Sequence, residues 1–248
     1  MSDLAPDSVE PRLRGRFGRP YLYVVETPST QELLSEVELP EGAVAVAEHQ
    51  TAGRGRSGRT WSDTAGRALL CSVLLRPAEA PVIPQLSLVV GLATAEAIEA
   101  LAGVSAALKW PNDVLLDGRK VAGVLLERRG SAVVCGIGIN VGQERHELPD
   151  DTRVPATSLR VASADAHDRG ALLVELLDGL EQLYGSWTST GLEPLVERLA
   201  SRDALRGRRI TVSGSQGVGA GFSADGRLIL RSDDGATHLV SSGEIGLA

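Results

Sequence analysis

The sequence predicts an α+β protein, with a mixed β-sheet and flanking helices over residues 16–203 and a small β-barrel over residues 204–248. Two observations carry this prediction. In the first region, short β-branched and aromatic runs alternate with long segments of helical periodicity. In the second region, the strands become short and are separated by Gly-, Ser- and Asp-rich turns, which is typical of small all-β units. Residues 1–15 are polar and contain proline and arginine, so we expect a flexible tail.

The individual elements follow from periodicity and turn signals. Strands are predicted where β-branched and apolar residues cluster, at 21–25, 43–48, 69–75, 106–110, 113–116, 120–127 and 132–139. Asp117-Gly118 is a strong hairpin signal between two of them. Helices are predicted after the cap residues Ser29 or Thr30 and at 84–101, 169–187 and 192–200. The barrel contributes strands at 208–212, 217–222, 228–230 and 238–240.

Composition excludes several classes of protein. The formal net charge of −7 disfavours sequence-independent binding to nucleic acid, which requires a basic face. The longest apolar stretch, 86–101, is interrupted by polar and acidic residues, and the N-terminus has no signal-peptide pattern, so no membrane span or secretion is expected. Cys71 and Cys135 lie in apolar runs, which predicts two buried free thiols in a cytoplasmic protein.

Lysine is almost absent from this chain. Of the 25 basic residues only Lys109 and Lys120 are lysines, and both lie in one segment with Asn112 and Asp113. Base composition explains the rarity of lysine but not its position. Because an ammonium is a compact charge and a guanidinium a flat fork, we expect at least one of the two lysines to be functional. Asn112 could read a base or a hydroxyl and Asp113 could hold Mg²⁺, although both residue types are also common in turns.

Two glycine-containing segments suggest ligand contacts. In Gly53–Trp61 (GRGRSGRTW), three arginines alternate with three glycines. Glycine lets the backbone approach a ligand, and arginine donates to phosphate or carboxylate, so we expect the loop to be ordered by an anion. It is not a Walker A loop, because no Gly-Lys-Ser/Thr follows. The segment 136–141 (GIGINV) fails the dinucleotide fingerprint but suits close approach to a flat ring at a strand end.

Together with Lys120–Glu127 (KVAGVLLE), these segments occur in the order and spacing of the biotin protein ligases, which the chain resembles from about Tyr21 to its C-terminus. The resemblance implies a class II synthetase-like catalytic domain over 16–203 and an SH3-like domain over 204–248. It implies that ATP, with Mg²⁺, activates biotin to biotinyl-5′-AMP. Biotin is then transferred to a lysine of the biotin carboxyl carrier protein domain of an acetyl-CoA, acyl-CoA or pyruvate carboxylase.

The resemblance also implies roles for individual residues. The expected catalytic residues are Lys120, Arg54 and Arg56. Asp113 is the candidate metal ligand. The residues expected to bind biotin are Ser29, Thr30, Gln31, Gln50, Gly53, Arg54, Gly55, Arg56, Lys120 and Gly123. The residues expected to bind the nucleotide are Arg56, Arg59, Trp61, Lys109, Asn112 and Asn140.

Alternative functions remain at this point. A lipoate–protein ligase shares the fold and the adenylate chemistry, but the intact Gly53–Trp61 run argues against it. A non-catalytic biotin-binding protein would require a broken loop or catalytic lysine, and both are intact. Because the first strand begins at Tyr21, no helix-turn-helix domain fits ahead of it, and a repressor role is not expected. We expect a monomer or weak homodimer without nucleic-acid or membrane partners.

Overall fold

A seven-stranded mixed sheet forms the larger part of the fold in the computed structural model, which describes residues 2–35, 38–77, 83–150 and 152–247. Its strands are β1 Tyr21–Thr27, β2 Val44–Gln50, β3 Ala68–Leu75, β4 Ala107–Lys109, β5 Asp113–Leu116, β6 Arg119–Arg129 and β7 Ala132–Asn140. Their order is β1-β2-β3-β7-β6-β5-β4. β1 and β2 run parallel, and the other neighbours run antiparallel. The predicted mixed sheet is confirmed.

Helices flank this sheet. They are α1 Pro6–Val9, α2 Thr30–Leu33, α3 Ile83–Ala102, α4 Leu159–Ser163, α5 Arg169–Thr190 and α6 Val196–Ala200. α3 and α5 pack against each other and against the sheet. α3 is long and apolar enough to cross a membrane by length and composition, but 67% of its apolar window is buried, as in the core helix of a globular protein. Sequence periodicity did not predict the short helix α4.

Alternation along β7 separates the two faces of the sheet. Val133 and Cys135 belong to the large core that contains α3 and α5, whereas Val134 belongs to a small cluster with Leu34, next to α2. Because successive side chains of a strand point to opposite faces, Gly136 points to the same side as Val134. The cysteines are buried free thiols, as predicted, and burial raises the pKa of Cys71 to about 12.

The expectation of a flexible N-terminal tail is wrong for the described residues from 2 onward. Leu4 and Val9 are completely buried, and Asp3 forms an ion pair with Arg169 at the start of α5. The arginines at positions 12, 14 and 16, in the tail and directly after it, instead pair with acidic residues at the N-cap of α5 or within that helix. These ion pairs are Arg12–Asp168, Arg14–Glu175 and Arg16–Glu181. Composition could not reveal this pairing, because the two segments lie far apart in the sequence.

A second, five-stranded antiparallel sheet follows at the C-terminus. Its strands are β8 Arg209–Val212, β9 Ser215–Phe222, β10 Leu228–Arg231, β11 Thr237–Val240 and β12 Ile245–Leu247, in the order β11-β10-β9-β8-β12. The small all-β unit is therefore confirmed, but β12 was not predicted, because three residues that include a glycine carry no strand signal. The unit contacts the larger one through a hydrogen bond from Trp110 Nε1 to the carbonyl of Gly226, 3.1 Å long.

Candidate functional site

One cavity of about 730 Å³ gathers nearly all of the predicted site residues. The structure brings together Ser29, Thr30, Gln31, Gln50, Arg54, Gly55, Arg56, Arg59, Trp61, Lys109, Asn112, Asp113, Lys120, Gly123 and Asn140. They come from α2 and its N-cap, the ends of β2, β4 and β7, the turn before β5, the hairpin β5–β6, and the glycine loop, which we define as Gly53–Trp61. Residues far apart in the sequence therefore meet at one place, which sequence spacing alone could not establish.

Gly53 is the exception among these residues, and its expected contact with biotin stays a prediction. It does not line this cavity but a neighbouring one of about 1010 Å³, which shares residues 54–57 with the first. A Cβ at this position would come within 2.5 Å of the carbonyl oxygen of Trp61, whose amide donates to the carbonyl of Gly53 at 2.9 Å. Glycine is therefore required here to close the loop on itself.

The inner end of the cavity, which we define as Ser29, Thr30, Gln31, Gln50 and Gly136, consists of neutral groups. Three of its side chains are almost fully buried. The amide of Thr30 donates to Gln50 Oε1 at 2.8 Å, and Gln31 Nε2 donates to the carbonyl of Leu125 at 2.9 Å. Among the described residues, nothing hydrogen-bonds the hydroxyl of Ser29. This end therefore offers fixed, uncharged donors and acceptors to a neutral polar ligand group.

Glycines on β6 and β7 form the floor of the cavity. A Cβ at Gly136 would lie 2.5 Å from Gln31 Nε2, and one at Gly138 would lie 2.5 Å from Cε2 of Trp61. The flat ring that the sequence predicted against this strand is thus the indole of Trp61 itself. Its Nε1 is buried and has no hydrogen-bond partner within the described ranges. Lys120 Nζ lies 5.6 Å from its ring centroid, a cation–π arrangement.

Each arginine of the glycine loop has its own partner. Arg54 reaches Gln31 Oε1 at 3.2 Å and Glu127 Oε2 at 3.3 Å. Arg56 donates to Asn112 Oδ1 at 3.5 Å, and burial lowers its pKa. We expected that an anion would be needed to hold these arginines together. In the structure, a carboxylate and side-chain amides of the protein already pair with these arginines, and this pairing offsets part of the repulsion between the guanidinium groups.

The two lysines differ in their surroundings. Lys120 Nζ lies 2.6 Å from Asp113 Oδ1 across the β5–β6 hairpin. Lys109 is only 7% exposed, and in the part of the chain that the structure describes its ammonium has no hydrogen bond or ion pair. Burial lowers the pKa of Lys109, the nearby Asp113 carboxylate opposes this shift, and the charges of Lys120, Arg153 and Arg59 add to it. A largely desolvated ammonium that reaches the cavity gains from a counter-ion, so this position favours an anionic ligand.

Asn140 and Asp113 were predicted as ligands, and both lie at the cavity. The amide of Asn140 is bonded within the protein, because its Nδ2 donates to the carbonyl of Thr157 at 3.0 Å and its Oδ1 accepts from Gln143 at 3.1 Å. Asp113 is engaged with Lys120, and the described residues contain no group of three metal-ligating side chains. A divalent cation would therefore need phosphate oxygens to complete its shell, with Asp113 as a protein ligand.

The family to which the chain belongs follows from comparison with known proteins. The model of the biotin/lipoate A/B protein ligase family matches residues 21–144. The chain belongs to this family. The biotin–[acetyl-CoA-carboxylase] ligase of Mycobacterium tuberculosis is 38% identical, with 83% of this chain and 79% of that protein covered. The ligase of the same name from Paracoccus denitrificans is 36% identical, over 79% of this chain and 87% of that protein.

A solved structure of the family matches the fold. The biotin protein ligase of Aquifex aeolicus, in complex with biotin and ATP, has a TM-score of 0.84 and 33% identity, and the match covers 92% of this chain and 97% of that one. This likeness confirms the predicted fold class, including a sheet with flanking helices and a small C-terminal unit.

Two charged residues of this ligase-family site were not predicted. Arg153 and Glu244 both line the cavity, and Arg153 Nη1 lies 2.5 Å from Glu244 Oε2. Neither residue lies in one of the motifs that the sequence analysis identified. Glu244 reaches the cavity because the unpredicted strand β12 pairs with β8 and thereby fixes the preceding segment. The only sequence signal was a carboxylate directly before a short apolar run.

Proposed function

We propose that this protein is an ATP-dependent biotin protein ligase that forms biotinyl-5′-AMP and transfers biotin to a lysine of a carrier protein. The observation that carries the proposal is the convergence of Lys120, Arg54 and Arg56 with the neutral inner end in one cavity of about 730 Å³. The relatives named biotin–[acetyl-CoA-carboxylase] ligase support this choice of substrate.

The first step requires two anions to meet, which explains the charge of the site. The carboxylate of biotin attacks the α-phosphate of ATP, a P–O bond forms, and pyrophosphate leaves with the electrons of the broken bond. The protein carries a net charge of −7. Among the residues that the structure describes, however, six basic side chains line the cavity against two acidic ones, namely Arg54, Arg56, Arg59, Lys109, Lys120 and Arg153 against Asp113 and Glu244. These cations reduce the repulsion and hold the reacting atoms in place.

The inner end suits the uncharged ring system of biotin. A ureido group has one carbonyl acceptor and two N–H donors, so it needs donors and acceptors at fixed positions. The hydroxyl of Ser29 and the amide of Gln31 supply such groups from a buried, preorganised segment. The carboxylate tail would then extend toward Arg56 and Lys120, where charge is required.

The second step releases AMP. The uncharged amine of a carrier lysine attacks the acyl carbon, the C–O bond to AMP breaks, and the amine loses a proton as the amide forms. Lys120 and Arg56 would stabilise the leaving phosphate, because both carry donors at the cavity. Mg²⁺ would supply charge neutralisation for the phosphates when bound, with Asp113 as the protein residue that would hold it.

The proposal also assigns a role to each domain, a carrier protein and a cellular location. We take residues 16–203 as the catalytic domain and residues 204–248 as an SH3-like domain that completes the cavity. The carrier would be the biotinyl domain of a biotin-dependent carboxylase. The protein would act in the cytoplasm as a monomer or weak homodimer, without nucleic acid.

The direct test is formation of the intermediate. The purified protein is incubated with ATP, Mg²⁺ and either biotin or lipoate, and ATP–pyrophosphate exchange and the acyl-adenylate are measured. We expect exchange and biotinyl-AMP with biotin and little of either with lipoate. Preference for lipoate would favour a lipoate ligase. Tight binding of biotin without exchange would favour a non-catalytic binding protein.

A further inference from the structure

The segment before β12 brings one carboxylate from the C-terminal sheet to the cavity. Residues Ser242, Gly243, Glu244 and Ile245 form part of the cavity wall. Ile245 is buried and pairs with Val212 of β8, so the backbone on which Glu244 sits is fixed. Its carboxylate side chain remains 38% exposed. Glu244 is thus a surface carboxylate on a rigid support, directed at the cavity.

Glu244 bridges two arginines that come from different parts of the chain. Its Oε1 lies 3.4 Å from Nη2 of Arg59 in the glycine loop. Its Oε2 lies 2.5 Å from Nη1 of Arg153, in the segment between β7 and α4. Both arginine side chains are more than half exposed. We call Arg59, Arg153 and Glu244 the outer end of the cavity.

The charge around this cluster favours a polyanion. Lys109 is 7% exposed and has no hydrogen bond or ion pair among the described residues. The carboxylate of Asp113 acts on it, and so do three cations, Lys120, Arg153 and Arg59. Within the described part of the cavity wall, basic groups outnumber the two carboxylates, Asp113 and Glu244. A diphosphate or triphosphate carries the charge that such an excess of cations would neutralise.

Two exposed arginines need a restraint before they can act as a fixed clamp. An arginine side chain has several rotatable bonds, and ordering it costs conformational entropy. Glu244 engages one terminal nitrogen of each arginine, and Arg59 Nε donates to the carbonyl of Arg56 at 3.1 Å. A guanidinium carries five N–H donors, so donors remain for phosphate oxygens on both sides of the carboxylate.

We propose that Glu244 is a positioning residue, supplied by the C-terminal sheet, that holds Arg59 and Arg153 for the pyrophosphate part of ATP. The proposal rests on the proposed function and deepens it, because it assigns the C-terminal unit a task in nucleotide binding. Glu244 acts through the two arginines and takes no part in bond making. Its loss therefore alters nucleotide affinity and leaves biotin affinity unchanged.

The test compares Glu244→Gln with Glu244→Asp and with the control Asp233→Asn in steady-state ATP–pyrophosphate exchange. Asp233 also pairs with an arginine of the C-terminal sheet, Arg209, but lies at a solvated site outside the cavity. For Glu244→Gln we expect the KM for ATP and the inhibition constant of inorganic pyrophosphate to rise about fivefold, since partly exposed charged contacts contribute little more. The KM for biotin should stay constant, Glu244→Asp should recover part of the loss, and Asp233→Asn should match the wild type.

A second variant distinguishes the positioning role of Glu244 from a general folding defect. Arg153→Gln should raise the same two constants, and adding it to Glu244→Gln should cause little further change, because the two residues act as one unit. Equal changes in the ATP and biotin constants, additive effects, or an ATP constant that falls in Glu244→Gln would each overturn the positioning role. No exchange in the wild-type protein would instead overturn the proposed function, and this inference with it.

Discussion

The two ends of the cavity are built on different physical principles. The inner end consists of buried neutral groups held by short hydrogen bonds, such as that from Gln31 to the carbonyl of Leu125. The outer end consists of exposed charges held by ion pairs, such as that between Arg153 and Glu244. Buried hydrogen bonds fix geometry, and removing one partner is costly. Exposed ion pairs are individually weak and adapt more readily.

This difference matches the two halves of the proposed substrate pair. A neutral ring must be distinguished by the positions of its donors and acceptors, which a rigid buried surface provides. A polyphosphate must be attracted and then released as pyrophosphate, which a cluster of exposed cations permits. Mutations at the inner end should therefore change the affinity for biotin, and mutations at the outer end should change the affinity for ATP. Lys120, which belongs to neither end, should affect the chemical step.

The largest effect is expected at Lys120. Lys120→Ala should lower the rate of adenylate formation about 10²–10³-fold, since that is the typical cost of losing one preorganised donor. Pyrophosphate release under saturating biotin and ATP measures this rate. The matched control is Arg119→Ala, which removes the neighbouring exposed charge outside the cavity. A normal rate in Lys120→Ala, with the fold intact by circular dichroism, would refute its catalytic assignment.

A smaller and more selective effect is expected at the inner end. In Gly136→Ala the new methyl group would collide with Gln31 Nε2, 2.5 Å away, and displace the amide that we assign to biotin. The KM for biotin should rise about tenfold, as for the loss of one buried hydrogen bond, while the KM for ATP stays constant. Gly179→Ala serves as the control, because a Cβ there meets nothing within 4 Å. Equal changes in the KM for biotin and the KM for ATP would contradict the assignment of the inner end to biotin and the outer end to ATP.

The smallest effect concerns pH and tests the charged side of the cavity. Burial lowers the pKa of Lys109, so on the alkaline side it loses its proton earlier than an ordinary lysine. Phosphate binds the charged form, and ATP affinity should therefore fall by a few-fold as pH rises through this lowered pKa. In Lys109→Arg the guanidinium stays charged, and the alkaline fall should be weaker. The KM for ATP as a function of pH measures both. Identical profiles would exclude Lys109 as the titrating group.

The charged residues of the site were easier to predict from the sequence than the tertiary contacts that bring them together. The glycine loop and the two lysines were visible because arginine–glycine alternation and rare lysines stand out in the chain. The expected biotin contacts Ser29, Thr30 and Gln31 came only from the family resemblance, since neutral polar residues at a helix start look like ordinary capping residues.

Other features depend on tertiary contacts and could not be predicted. Glu244 joins the cavity only because β12 pairs with β8, and the N-terminal arginines are ordered only because α5 presents acidic residues to them. Gly53 shows a second limit of local pattern. Its motif suggested a contact with a ligand, and the structure adds a separate reason for glycine there, the close approach to Trp61. Local pattern predicts chemistry, and long-range pairing decides which residues share a site.

One isotope experiment tests most directly whether the cavity joins the biotin carboxylate to the α-phosphate. Biotin labelled with ¹⁸O in both carboxylate oxygens is incubated with the protein, ATP and Mg²⁺, and hydroxylamine serves as the amine acceptor. We expect AMP that carries one ¹⁸O atom, because the carboxylate oxygen that attacks phosphorus stays with AMP when the acyl group leaves. Biotin-dependent release of unlabelled AMP would contradict an acyl-adenylate and, with it, the role assigned to Lys120 and the loop arginines.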